Sequence, residues 1–187
     1  MYDKINLLNW GGVFMRIERI CPNEAEALYT CMKKIDQETQ YMLYLPDERS
    51  FNKDRFVDDI KHNFYIGVKT DENDILGYLS VHISRLAKIK HIGYIVTGVI
   101  NEKHHQGLAT KMFQETIKWA ERKGLRRLEL TVITTNTPAV KFYEKLGFKI
   151  EGIKHESIYM DQNFYDELYM SMMINQSFSI DSDILES

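Results

Sequence analysis

The chain has 187 residues, 44% of them hydrophobic and 27% charged, with a formal net charge of −3. That length suits one domain with a sizeable core. The acidic balance, without a basic stripe, argues against nucleic acid or an anionic membrane as the main partner. No window approaches the ~18 apolar residues of a membrane span, and the opening MYDKINLLNW lacks the apolar core of a signal peptide. Two cysteines, Cys21 and Cys31, make no secreted disulfide framework. Both are expected to be buried, inert thiols of a cytoplasmic protein.

Residues 1–14 carry no readable periodicity and are expected to be an extension of unclear role, with Met15 as an alternative start. A single domain is expected over 15–174. Arg16 to Ile20 is strand-like, Pro22 breaks it, and Asn23 with Glu26 has the spacing of a capping box. The helix behind that box would bury Ala25, Leu28, Tyr29, Met32 and Ile35. An irregular stretch with Pro46 leads to a short helix at 53–62, with Phe56, Val57 and Ile60 inward. Strands at 64–69 and 75–83 flank the turn Asp71–Asp74. In the second of them Ile75, Leu79, Val81 and Ile83 alternate with Tyr78, Ser80 and His82, which predicts one buried and one more polar face. Arg85–Lys90 reads as an exposed connection.

The run 92–100 has little alternation, as in a central strand covered on both sides. Gly98 within it suggests a bulge or a close approach by a ligand. A helix then opens on Gly107, with Ala109, Met112, Phe113, Thr116, Ile117 and Ala120 on one face. Gly124 stops it, and the apolar run 128–132 follows. This is a strand–loop–helix–strand unit whose loop aims backbone N–H groups at a helix N-terminus. Such a turn is an anion site, read here as a pyrophosphate cradle against the plainer alternative of an ordinary turn. No Gly-Lys-Ser/Thr follows, so it is not the phosphate loop of a kinase or ATPase. The pair His104-His105 has no third ligand at a recognisable spacing, and no metal is expected. Thr135-Asn136-Thr137-Pro138 starts another helix, lined by Ala139, Val140, Phe142, Tyr143 and Leu146 and ended by Gly147. Strands at 148–153 and 165–174 close the domain around a loop at 160–163. Residues 175–187 are polar and acidic and are expected to form a loose tail.

From Val99 to Phe148 the chain resembles the GNAT superfamily of acetyl-CoA-dependent N-acetyltransferases. The resemblance rests on the loop His104-His105-Gln106-Gly107-Leu108-Ala109, where the family has Gln/Arg-x-x-Gly-x-Gly/Ala, and on NTPAVKFYEKLGF at 136–148. It implies an α/β (α+β) fold, a mixed and mostly antiparallel sheet of about six to seven strands with helices on both faces. It also implies that Val99, His104, Gln106, Gly107, Leu108, Ala109, Thr110 and Asn136 hold acetyl-CoA as co-substrate. His104 departs from the family pattern, since a neutral imidazole brings less charge than Arg. Lys103 and Lys111 stand nearby as further basic charge or as plain solvated residues. Asn136 also fits a helix cap.

Tyr143 falls at the family's general acid, a phenol able to protonate a departing thiolate. As a base, Glu129 in the apolar run 128–132 is the candidate, because a carboxylate there must be paired or line a cleft. Asp166 and Glu167 are candidate contacts for a cationic acceptor. The acceptor implied is a primary amine of a small molecule or a protein, selected by residues 38–56 and the loop around Asp161. A coenzyme A-binding regulatory module without turnover is the alternative. An exposed edge strand near the C-terminus would permit a homodimer.

Overall fold

A computed structural model describes residues 5–10, 13–104 and 106–174. His105, the expected tail at 175–187 and residues 1–4 and 11–12 of the expected extension lie outside the described residues. Among the described residues, eight strands form one sheet in the order β1-β2-β3-β4-β5-β6-β8-β7. They are β1 (Ile5–Trp10), β2 (Val13–Arg19), β3 (Phe64–Thr70), β4 (Ile75–Ile83), β5 (Ile92–Val99), β6 (Arg127–Ile133), β7 (Lys149–Met160) and β8 (Asn163–Met173). The helices are α1 (Ala25–Glu38), α2 (Lys53–His62), α3 (Leu108–Lys123) and α4 (Thr137–Leu146). All neighbouring strands are antiparallel except β5 and β6. The mixed, mostly antiparallel sheet with helices on both faces is the architecture expected; β1, paired with β2 at the edge, brings the strand count to eight.

Two cores lie on opposite faces of the sheet. One packs α3 and α4 against Val68, Leu79, Val81, Leu128 and Leu130. The other packs α1 and α2 against Tyr65, Tyr78 and Ile100. The face of β4 expected to be polar belongs to this second core: Tyr78 and Ser80 are each only 1% exposed. Alternation along β4 is real, but its second face is covered at Tyr78 and Ser80, and only His82 near the strand's end stays partly open, with its side chain 37% exposed.

Helix starts follow the chemistry of their caps, with one displacement. The Glu24 carboxylate accepts from the Cys21 backbone N–H at 2.7 Å, two residues before the predicted Asn23–Glu26 box, because a short 3₁₀ turn at Pro22–Glu24 precedes α1. Glu26 instead pairs with Lys53 at 2.8 Å. Gly124 and Gly147 end α3 and α4 in the left-handed conformation that glycine adopts without strain. β7 runs well past the expected residue 153, to Met160, because Asp161 and Gln162 turn the chain with φ of 51° and 61°. Two consecutive positive φ values are what a two-residue hairpin requires.

The feature that positions the site is a fork between β5 and β6. Their parallel pairing covers only Ile92–Tyr94 against Arg127–Glu129. Beyond it β5 continues along β4, with Gly77 opposite Val99, and β6 continues along β8. The Ile100 N–H donates to the Leu76 carbonyl at 3.0 Å. Bonded and non-bonded pairs alternate along an antiparallel ladder, so the N–H and C=O groups of Ile95, Thr97 and Val99 face away from β4 and into the fork.

Gly98 makes no bulge, since its register with Tyr78 is unbroken. It is glycine because α1 comes close: a Cβ there would stand 3.0 Å from Ile35 Cγ2. Gly93, at the base of the fork, is more tightly enclosed. A Cβ would lie 2.5 Å from Val81 Cγ1 and 3.0 Å from Leu128 Cδ2. Gly93→Ala is expected to cost ~1–3 kcal/mol by overpacking, read from the midpoint of urea unfolding. A loss under ~0.5 kcal/mol would show that the two strands can spread.

Candidate active site

The fork opens into a cavity of about 1150 Å³. One half lies at the start of α3. Gly107 is the N-cap residue, with φ 72° and ψ 8°, and no heavy atom lies within 4 Å of where its Cβ would stand. That open space lies against the first turn of α3, whose N–H groups at Leu108, Ala109 and Thr110 have no acceptor within the helix. Of the predicted cofactor residues, Val99, His104, Gln106, Gly107, Leu108, Ala109, Thr110 and Asn136 all line this cavity. Lys103 lines it too, whereas Lys111 does not. The His104 ring spans the loop, its Nε2 2.8 Å from the Val99 carbonyl oxygen. Asn136 caps α4, its side-chain oxygen accepting from the Ala139 N–H at 3.3 Å.

Tyr143 stands on α4 where that helix meets the fork, packed against the rings of Phe113, Phe142 and Phe148. Burial pushes its phenol up to about 12, with Tyr94 contributing in the same direction. The group is neutral across the physiological range.

Glu129 does not join this assembly. It is absent from the cavity wall, and its carboxylate accepts from Arg127 Nε at 2.8 Å, while Arg127 also pairs with Glu151. On β6, Leu128, Leu130 and Val132 point into the α3–α4 core. Glu129 points to the other face, where the ion pair satisfies it. Asp166 is likewise outside the wall, accepting from the Glu156 backbone N–H at 2.8 Å and facing His155. Glu167 does line the cavity, paired with Lys154 at 3.0 Å.

The second half of the cavity lies under α1 and the strap between α1 and α2. Tyr41, Met42, Tyr44 and Arg49 of the predicted selecting segment line it, but the turn at Asp161 does not. Four side chains here were given no functional role by the sequence reading: Asp59, Tyr65, His82 and Tyr94. The Tyr65 hydroxyl donates to Asp59, and the Tyr94 hydroxyl stands 2.9 Å from Thr131 Oγ1, closing the base of the fork. The polar alternation of β4 was the one available signal. Among the described residues no cluster of His, Cys, Asp and Glu could hold a metal ion, and no helix is long and apolar enough to cross a membrane.

The cysteines divide. Cys31 is buried in α1 and its thiol is pushed up to about 12, by burial first and then by Glu38, but Cys21 is exposed, contrary to expectation. It lies in the turn before α1, outside the packed face. In the native protein at pH 8, a thiol-selective reagent is expected to modify one cysteine quickly and the second only after unfolding. Two fast thiols would contradict this burial.

Residues 26–148 match the acetyltransferase (GNAT) family. Over 101 residues the chain is 28% identical to the L-amino acid N-acetyltransferase AaaT of Escherichia coli (strain K12), covering 54% of this chain and 62% of that protein. It is 30% identical over 129 residues to a candidate alanine N-acetyltransferase of ribosomal protein bS18 from Bacillus subtilis (strain 168), covering 67% of this chain and 81% of that one. A GNAT acetyltransferase structure from Streptococcus pneumoniae superimposes with a TM-score of 0.80 at 24% identity, covering 86% of this chain and 99% of that one. A Salmonella typhimurium protein solved with its cofactor acetyl-CoA superimposes with a TM-score of 0.76 at 14% identity, covering 90% of this chain and 98% of that one.

Proposed function

The chain belongs to the acetyltransferase (GNAT) family, and from that premise we propose that it moves an acetyl group from acetyl-CoA to a primary amine of a small molecule or a protein, by direct attack in a ternary complex. Acetyl-CoA supplies the activated acyl group as a thioester. The observation that carries the reading is the fork, in which the edge of β5 beyond Tyr94 has no strand partner among the described residues and runs toward the open first turn of α3.

Each part has a task in this reading. The N–H groups of Leu108, Ala109 and Thr110, behind the space left by Gly107, take the pyrophosphate at the positive end of α3. The inward N–H groups of Ile95, Thr97 and Val99 orient the rest of the donor and donate to the oxygen on which charge develops. His104 ties the loop to the end of β5 through Val99, a positioning role that needs no charge on the imidazole. Tyr143 shares its proton with the departing sulfur. Glu129, held by Arg127, has no part.

The named relatives, one for L-amino acids and one for an alanine of ribosomal protein bS18, support an amino-acid amine as acceptor, free or in a protein. It would enter through the half of the cavity beneath α1, where Tyr41, Tyr44 and Arg49 select it.

Thermal unfolding with acetyl-CoA, and with ATP as control, tests the donor. At ~100 times the dissociation constant a ligand stabilises the folded state by ≈ 2.7 kcal/mol. A rise with acetyl-CoA alone is the expected result, followed by thiol release with L-amino acids and an alanine-initiated peptide. No rise would remove the transferase reading.

A further inference from the structure

An ammonium must lose a proton before its nitrogen can attack, and neither Tyr143, which is neutral and acidic in role, nor the ion-paired Glu129 can take it. The cavity beneath α1 holds a different arrangement. His82 Nε2 stands 3.2 Å from Ser80 Oγ, and Ser80 Oγ stands 3.3 Å from the Val96 carbonyl oxygen. On the other side of the ring, His82 Nδ1 lies 3.9 Å from Asp59 Oδ1. Asp59 is itself fixed, accepting from the Tyr65 hydroxyl and from Asn63 Nδ2 at 2.8 Å. Tyr65 meets the His82 ring edge-on, with centroids 5.9 Å apart. Ser80 is in register with Val96 and His82 with Tyr94, so both stand beside the base of the fork.

We propose that Ser80 and His82 relay the proton of the acceptor ammonium out of the fork, with Asp59 positioning the imidazole. The relay rests on the acetyltransferase reading above and supplies the base that reading lacks. The ammonium gives its proton to Ser80 Oγ as the Ser80 proton passes to His82 Nε2. Ser80 stays neutral, His82 becomes an imidazolium with Asp59 opposite Nδ1, and the freed amine attacks.

Both protonation states are accommodated. With His82 neutral, the Ser80 hydroxyl donates to Nε2. With His82 protonated, Nε2–H donates to Ser80 Oγ and the hydroxyl turns to the Val96 carbonyl. The charged and titratable groups facing the ring are Asp59 from α2, Tyr65 from β3 and Tyr94 from β5. Burial lowers the His82 pKa, and Asp59 opposes that fall, so the ring is a free base at neutral pH.

The test compares wild type with His82→Gln, Ser80→Ala and Asp59→Asn in thiol release from acetyl-CoA, using L-amino acids and an alanine-initiated peptide across pH 5 to 9. His82→Gln and Ser80→Ala are expected to lose about 100-fold in kcat/KM at pH 7, and His82→Gln to lose the acidic limb of the profile. Asp59→Asn should move that limb to lower pH, because the imidazolium has lost its anion. Stabilisation by acetyl-CoA should persist in all three, which separates this outcome from misfolding. A His82→Gln protein within threefold of wild type, with its acidic limb intact, overturns the relay. So does an NMR titration that finds His82 still charged above pH 7 in the acetyl-CoA complex, a readout that needs no turnover. Wild type that is stabilised by acetyl-CoA yet releases no thiol with any amine overturns the transferase reading itself.

Discussion

Replacing Tyr143 by Phe is expected to lower kcat about 100-fold while leaving stabilisation by acetyl-CoA unchanged. The ring packs on Phe113, Phe142 and Phe148, and Phe fills the same space, so stability should shift by less than ~1 kcal/mol. What is lost is one O–H. A phenol pushed up to about 12 is a weaker acid than an ordinary thiol at ~8.5, so it shares its proton with the departing sulfur and does not surrender it early. A 100-fold loss corresponds to ~2.7 kcal/mol of barrier, within reach of one such hydrogen bond to developing charge. The same pKa fixes a pH expectation: Tyr143 produces no basic limb in the rate below pH ~11. Steady-state thiol release and thermal unfolding measure both halves. If Tyr143→Phe leaves the rate of a working enzyme untouched, Tyr143 is only a packing residue. A chain stabilised by acetyl-CoA but inert with every amine would instead be a coenzyme A-binding regulatory module.

Asp36→Ala is expected to be the most destabilising of these changes, at ~3–5 kcal/mol against a total of ~5–15 kcal/mol for an ordinary domain. Asp36 lies in α1 with its side chain fully buried, and Arg49 grips it through Nε and through Nη2 at 3.1 Å. The same guanidinium lies over the Tyr44 ring, 4.2 Å from its centroid, and the Arg49 carbonyl accepts from the Tyr29 hydroxyl at 2.9 Å. This pair pins the strap between α1 and α2 across the half of the cavity assigned to the acceptor. Removing the carboxylate strands a buried cation, which costs far more than the pair itself contributes. Urea unfolding would read the loss, and Asp36→Leu with Arg49→Met together should recover most of it. Acetyl-CoA should still stabilise Asp36→Ala, because the half of the cavity proposed for the donor is built by α3 and β5 and not by the strap. A loss below ~1 kcal/mol would mean that water reaches Arg49.

The half of the cavity at the start of α3, proposed for the donor, was legible because its logic is local. Gly107 at the N-cap, the bare N–H groups after it and the cap at Asn136 follow from residues a turn apart, and short-range chemistry survives without knowledge of neighbours. The half beneath α1, proposed for the acceptor, was legible only in part: the segment 38–56 does reach it, but its polar cluster was not foreseen. Asp59 and His82 come from different elements and meet only after α2 folds over β4. Glu129 shows the same limit from the other side. A carboxylate in an apolar run must be paired or face a cleft, and Arg127 decided between the two.

Taken alone, the sequence determined most of the elements, the cap at Asn136, the stops at Gly124 and Gly147, the glycine-led turn before α3 and the family signature, since capping, periodicity and glycine conformation depend on near neighbours in the chain; β1, the true cap ahead of α1 and the far end of β7 escaped it. Only the tertiary structure decided where β5 and β6 part, that Tyr78 and Ser80 on the polar face of β4 are interior, and which carboxylates are already paired with cations. Those outcomes depend on which strands become neighbours and where their pairing stops, contacts between residues far apart in the chain that no local pattern encodes.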